Sequence, residues 1–253
     1  MKLRRRFALR SVASSLAVPL ALSLAVACTS SQDTSPGTSA TNVPLATPGP
    51  PIMDEAFKDD SNGWGIVDSE DGHNYYAKGQ YVVDFRAGPF LHWVSDVLAQ
   101  EWEAETVDLS DVVIKAKGTT TRGEGVVGVF CRETVDTDAE FEWYEFVVRD
   151  GYAAIRRADL RGNLRVLAET DNLALPLDVP FTLEATCVND NDDAASLSLG
   201  LDGEELLRAT DGEDALTDGL VGIQIWDAPD SLEVDPPRVE WDSFLVSEAS
   251  SSS

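Results

Sequence analysis

The hexapeptide Glu140-Phe141-Glu142-Trp143-Tyr144-Glu145 holds three carboxylates at short spacing. Paired carboxylates suit acid and base work on a glycosidic bond, and a double displacement needs them about 5–5.5 Å apart. Glu140 and Glu145, the outer pair, are five positions apart. A regular strand sends such positions to opposite faces, so only a bulge would align them. In a chain with 45 Asp and Glu, such spacings also arise by chance. Glu140 and Glu145 are therefore the weakest of candidates, and no other catalytic residue is assigned.

Other chemistries find less. The chain has two histidines, His73 and His92, and neither stands in a nucleophile motif such as Gly-x-Ser-x-Gly. Both lie in strand-like, aromatic-rich segments. There is no Cys-x-x-Cys, no His-x-x-x-His and no phosphate loop, so no metal ligand is assigned. The run Asn189-Asp190-Asn191-Asp192-Asp193 offers oxygens to Ca²⁺. It lacks the Gly and distal Glu of an EF-hand loop and reads as a solvated loop, so Ca²⁺ stays the only open cofactor and none is expected. Flat rings that a sugar could stack on are Trp64, Tyr75, Tyr76, Trp93, Trp102, Trp143 and Trp226. Trp143 and Trp226 share strands with apolar rows that face the other way, which makes them the ligand-binding candidates.

Strands must position these groups. Segments of period two or rich in β-formers recur from Asn74 to Val246, among them Gln80–Phe85, Val112–Lys117, Gly125–Arg132, Phe141–Arg149, Phe181–Val188 and Gly219–Trp226. Asp150-Gly151 and Asp202-Gly203 read as two-residue hairpin turns. Only Asp96–Glu105 looks helical. Many short strands with tight turns predict an all-β, two-sheet antiparallel sandwich. Alternation puts Phe181, Leu183, Ala185 and Cys187 on one face, and likewise Val127, Val129 and Cys131. Both cysteines thus end buried rows, where adjacent strands would bring them together. A Cys131–Cys187 bridge is the expectation, with two buried free thiols as the alternative.

The two ends of the chain are built differently. Lys2, Arg4, Arg5, Arg6 and Arg10 precede an uncharged apolar run, Ser11 to Ala27, broken by Pro19. That is the layout of a signal peptide over residues 1–27. Ala25-Val26-Ala27-Cys28 resembles the lipobox of bacterial lipoproteins, although Ala25 stands where that family prefers Leu. The resemblance implies cleavage before Cys28 and its modification with diacylglycerol and acyl chains such as palmitate. The alternative is an ordinary cleaved signal with an incidental cysteine. Arg4-Arg5-Arg6-Phe7 resembles a twin-arginine signal, and Sec and Tat export both stay open. Residues 28–51, rich in Ser, Thr, Pro, Gly and Ala, read as a disordered tether. From Thr29 it extends to roughly 70 Å at about 3.1 Å per residue. Residues 249–253 read as a disordered tail.

Between them, residues 52–248 are long enough for one domain with a proper core. Residues 28–253 carry 14 Lys and Arg against 45 Asp and Glu, a formal net charge of −31. Such a chain is a poor partner for nucleic acid or an anionic lipid surface. The charge serves solubility, with life in high salt and divalent-cation binding as the other readings.

The succession Phe57-Lys58-Asp59-Asp60-Ser61-Asn62-Gly63-Trp64, Gly79-Gln80-Tyr81-Val82-Val83, Gly128-Val129-Phe130-Cys131-Arg132, Tyr144-Glu145-Phe146-Val147-Val148-Arg149-Asp150-Gly151-Tyr152 and Val239-Glu240-Trp241-Asp242-Ser243-Phe244 is similar to the concanavalin A-like (laminin G and keto-disaccharide-hydrolase-like) domains of bacterial lipoproteins. The resemblance covers nearly all of 54–247 and implies a jelly roll that binds or processes glycans, or has no known activity. The acidic stretches Asn189–Asp193 and Ala228–Asp235 depart from it. Glu140 to Glu145 also resembles the Glu-x-Asp-x-x-Glu of laminarinase-type glucanases on this fold, with Glu142 in place of the Asp. These readings give a β-sandwich on the extracytoplasmic face of a bacterial membrane, anchored to the bilayer through Cys28 and binding a glycan. The runner-up is a glycoside hydrolase, and the third reading a module that docks an envelope partner.

Overall fold

The computed structural model describes residues 46–60, 63–69, 72–85, 92–96, 109–135, 141–159, 163–190, 194–212, 214–226 and 235–250, with the backbone alone at 92–96, 135 and 226. The signal, Cys28, Trp102, Glu140 and the acidic residues 191–193 lie outside them. So does the helix-like stretch beyond Asp96, which itself ends a strand. Residues 43–253 form one compact unit.

The described chain is an all-β jelly-roll sandwich of two antiparallel sheets. Its strands are β1 (Thr47–Glu55), β2 (Val67–Asp68), β3 (Gly72–Ala77), β4 (Gln80–Phe85), β5 (His92–Asp96), β6 (Val112–Arg122), β7 (Val126–Val135), β8 (Phe141–Arg149), β9 (Tyr152–Asp159), β10 (Leu164–Thr170), β11 (Pro180–Asn189), β12 (Ala195–Leu201), β13 (Glu204–Asp211), β14 (Leu220–Trp226) and β15 (Arg238–Ser250). The first sheet runs β13-β12-β11-β6-β15-β4-β3-β2, with β1 beside β15, and the second runs β10-β9-β8-β7-β14-β5. The expected hairpins form: Arg149 pairs with Tyr152 across Asp150-Gly151, and Leu201 with Glu204 across Asp202-Gly203. At the second turn both central residues take positive φ, 52° and 88°, as a type I′ turn requires.

Alternation fills the core from both sheets. Val127, Val129, Tyr144, Phe146, Val148, Val221, Ile223 and Ile225 from the second meet Ile114, Ala116, Phe181, Leu183, Ala185 and Phe244 from the first. Trp64 is core rather than platform, 2% exposed and packed edge-on to Phe57 and Phe244. Cys131 and Cys187 are bonded, with Cα atoms 6.8 Å apart. They do not sit on adjacent strands: β7 and β11 belong to facing sheets, so the bond crosses the core and ties the layers together.

The boundaries of the sandwich differ from the sequence reading by a few residues. β1 starts at Thr47, inside the segment assigned to the tether, and β15 runs through Ser250, inside the assigned tail. The two extensions pair with each other, Thr47 opposite Ser250. Pro48, Pro50 and Pro51 look like tether residues, but a proline is tolerated on a strand with one neighbour, and register shifts flank Pro51.

Candidate functional site

Two of the sequence candidates, Trp143 and Glu145, fall on the second sheet, on the side away from the core. On β8, Tyr144, Phe146 and Val148 point inward, so Trp143, Glu145 and Val147 take the outer side. Glu145 lies opposite Phe130 of β7 and Arg156 of β9. It ion-pairs with Arg156 and accepts a hydrogen bond from Trp143 Nε1 at 3.4 Å. Burial pushes the Glu145 carboxyl up, and Arg156 recovers part of that shift.

Alternation gave the side of Trp143 correctly and its exposure wrongly. The ring is 2% exposed and packs with Phe130, Ala158 and Phe141, so it offers no platform to a sugar in solution. Much of the outer face is sealed as well: Val126, Phe130, Glu145, Val147, Ala154 and Gln224 are all buried, and exposure returns only towards β10, where Val166 is 46% exposed. An outward position in a two-layer sandwich is therefore no guarantee of contact with water. Trp226 holds the strand position two after Gln224, opposite Val126 and His92. The Glu140–Glu145 pair cannot be assembled from the described residues, since Glu140 lies outside them. Glu142 is no substitute, because it sits one strand phase away and is held by Arg157.

The accessible chemistry lies at the end of β8 where Glu142 stands. A cleft of about 330 Å³ opens there between β8, β9, β10 and the segment after β13. Glu142, Arg157, Asp159, Asn163, Arg165 and Asp214 supply its polar walls, and Leu164, 44% exposed, an apolar shoulder. Most of these polar groups are held in place. Arg157 donates from Nε to Glu142 Oε2 at 2.9 Å and from Nη1 to the Asp214 carbonyl at 2.7 Å. Asp159 accepts from both the backbone and the side-chain nitrogen of Asn163, at 2.9 and 2.7 Å, which ties the end of β9 to the start of β10.

Beneath the cleft lies Asp211, 2% exposed, at the end of β13 in the other sheet. It pairs with Arg165 at 2.5 Å and with Arg157 at 3.5 Å, and accepts a hydrogen bond from the Tyr144 hydroxyl at 2.9 Å. The same hydroxyl accepts from Leu216 N at 3.0 Å. Asp211 thus bridges the two sheets and fixes both arginines. Burial first, and Asp211 second, raise the Tyr144 phenol to about 12. Burial is the largest influence on Arg157 and opposes its charge, but Glu142, Tyr144 and Asp211 together outweigh it and the net shift is upward.

No motif announces this cleft, because its residues are gathered from positions 142 to 214 by strand pairing. One signal was available. Only 10 arginines follow Cys28, and Arg157 and Arg165 flank one short hairpin turn. Scarce cations placed together in so acidic a chain mark where carboxylates are to be clamped.

No protein-family model and no curated protein matches the chain. Among solved structures it is similar to the carbohydrate-binding module CBM66 from Bacillus subtilis, with a TM-score of 0.51 and 17% identity, over 74% of this chain and 96% of that one. It is also similar to the metal-free carbohydrate recognition domain of Emp46p, with a TM-score of 0.52 and 11% identity, over 78% and 92% of the respective chains. At these identities the likeness establishes the fold, a concanavalin A-like jelly roll, as expected for residues 54–247.

Proposed function

We propose that the protein binds a glycan in the polar cleft and is held at the outer face of a bacterial membrane by lipid on Cys28. The observation that carries the binding reading is the cleft itself. Planar carboxylate, amide and guanidinium groups are fixed by one another around an open space of about 330 Å³, within the range of small-ligand pockets. Vicinal sugar hydroxyls donate and accept at once, and such groups meet them in pairs. Because the groups are ordered before a ligand arrives, little further entropy is lost on binding. The fold supports the reading, since both similar structures named above are carbohydrate-binding domains. Trp226, the ring that the sequence assigned to stacking, stands by register at the other end of the second sheet, opposite Val126, and is not part of the cleft.

A glycan array read beside a reducing-sugar assay tests this. Binding without sugar release is expected, with affinity at least tenfold weaker in Arg165→Gln and a nearly unchanged melting temperature. Sugar release that disappears in Glu145→Gln would replace binding by hydrolysis. Silence in both assays would favour the docking module. The anchor is tested separately: the wild type should partition into the detergent phase of Triton X-114, and Cys28→Ser into the aqueous phase or remain uncleaved. A wild type found in the aqueous phase would refute it.

A further inference from the structure

At the opposite end of β8 from the cleft, from Glu142 to Arg149 and so roughly 23 Å away at about 3.3 Å per residue, a second hollow opens. Its volume is about 310 Å³, and it lies between the ends of the two sheets. Hydrogen bonds fix its walls. Leu175 N donates to Asp150 Oδ1 at 2.9 Å, Gly151 N to the Leu173 carbonyl at 2.7 Å, and Asp178 N to the Thr120 carbonyl at 2.9 Å. The segment Leu175–Leu177 is thereby pinned to both sheets as an apolar wall.

Two groups in this hollow bear on what it could bind. Thr120 ends the inward row of β6 and is 5% exposed. Its buried Oγ1 has no hydrogen-bond partner among the described residues. A buried hydroxyl is ordinarily satisfied, and one left open asks for an explanation. Arg149 is the second. The other described arginines all pair with carboxylates: Arg122 and Arg238 with Asp84, Arg132 with Asp111, Arg156 with Glu145, Arg157 with Glu142, Arg165 with Asp211 and Arg208 with Glu205. Among the described residues Arg149 has no such partner and rests over the Tyr152 ring, 5.4 Å from its centroid. In a chain of this acidity, a guanidinium without an ion-pair partner among the described residues is one kept available.

We infer that this hollow is a second binding site, for a single sugar residue bearing a carboxylate, such as a hexuronic acid. The ligand carboxylate meets Arg149, whose planar fork suits bidentate pairing. Its ring lies against Leu175 and Pro176, the Thr120 side chain turns about χ1 to bring Oγ1 onto a hydroxyl, and further hydroxyls donate to Glu124 and Asp150. The site shares no residue with the cleft and does not rest on the cleft's function.

The test is titration of the full-length protein in detergent with galacturonate and glucuronate, and in parallel with galactose and glucose, followed by calorimetry. Uronates should bind with a dissociation constant on the order of millimolar, and the neutral hexoses at least tenfold more weakly. Arg149→Gln should lose tenfold or more. Thr120→Val should weaken binding several-fold while melting at or above the parent temperature, because valine removes a hydroxyl that had no partner. Arg165→Gln should bind uronates as the parent does. Absence of uronate binding, equal binding of neutral hexoses, or full binding by Arg149→Gln would overturn the inference. A lower melting temperature in Thr120→Val would too, since it would show the hydroxyl already bonded. Loss of uronate binding in Arg165→Gln would move the ligand to the cleft and leave only the cleft standing.

Discussion

Replacing Asp211 by Asn should loosen the cleft and the edge of the sandwich together. The substitution keeps the shape and removes the charge that holds Tyr144, Arg157 and Arg165. Breaking a fully buried ion pair costs about 3–5 kcal/mol, but this one is buffered. Arg165 is 44% exposed and can turn to water, so its share is small. Arg157 keeps Glu142 and the Asp214 carbonyl. What remains is the charge-assisted bond from the buried Tyr144 hydroxyl, worth about 1.5–3 kcal/mol, of which the Asn oxygen retains a part. A net loss of about 2 kcal/mol follows, and for a domain of this size that lowers the melting temperature by about 4–8 °C. The measurement is thermal unfolding by circular dichroism with the disulfide oxidised, in a cycle with Tyr144→Phe. The cycle should show a coupling of about 1 kcal/mol or more. An Asp211→Asn protein melting within about 1 °C of the parent would refute the reasoning, since the carboxylate would then hold nothing.

Three further outcomes follow from the structure. Cys131 and Cys187 close a loop of 56 residues, so reduction should cost about 4 kcal/mol on the chain-entropy model. Alkylation detected by intact mass should require reductant. Tyr144 and Tyr76 are both raised from 10.0 to about 12, chiefly by burial, so the fold favours their protonated forms. Their contribution is complete below the unfolded value near 10 and is lost as pH rises through about 12. Alkaline unfolding should therefore set in across that window and weaken in Tyr144→Phe. Trp143→Ala should cost about 3–5 kcal/mol in urea unfolding, as a core tryptophan does; glycan binding lost at unchanged stability would instead restore Trp143 as a platform.

The strands and their phases were legible because they are written in local pattern. Phe181, Leu183, Ala185 and Cys187 alternate as read, and they do line the core. The turns Asp150-Gly151 and Asp202-Gly203 were legible because few other dipeptides make two-residue hairpins. The pairing of sheets was not. Phase alone says that Cys131 and Cys187 face inward, and it cannot tell a neighbour in one sheet from a partner across the core. Exposure was the other failure. Alternation names a side, and burial of the outer side depends on the three-dimensional surroundings of Trp143, which no period encodes. The proline-rich start of β1 misled for a chemical reason: the composition that suits a tether is also tolerated on an edge strand. The cleft was invisible because Glu142, Arg157, Arg165 and Asp211 become neighbours only through the β8-β9-β10 pairing and the approach of β13.

The distribution of charge bears on what either site can take. With a net charge of −31 over residues 28–253, the field around the domain opposes any polyanion. That repulsion is screened beyond about 8 Å at physiological salt, whereas a contact pair is screened far less. A long acidic glycan lying along the surface would meet the carboxylates at every residue. One carboxylated residue inserted at Arg149 would meet the guanidinium at contact distance and leave the rest of its chain in screened solvent. The cleft differs, since its arginines are already neutralised by Glu142 and Asp211. It presents hydrogen-bonding groups without a free cation, which suits uncharged hydroxyls. The two sites therefore sort ligands by salt dependence. Binding at Arg149 should weaken as ionic strength rises, and binding in the cleft should hold nearly constant from low salt to about 0.5 M, where the Debye length has fallen below its physiological value of about 8 Å. A cleft ligand whose affinity fell tenfold over that range would show that an unpaired charge, and not the neutralised hydrogen-bonding wall, does the recognising.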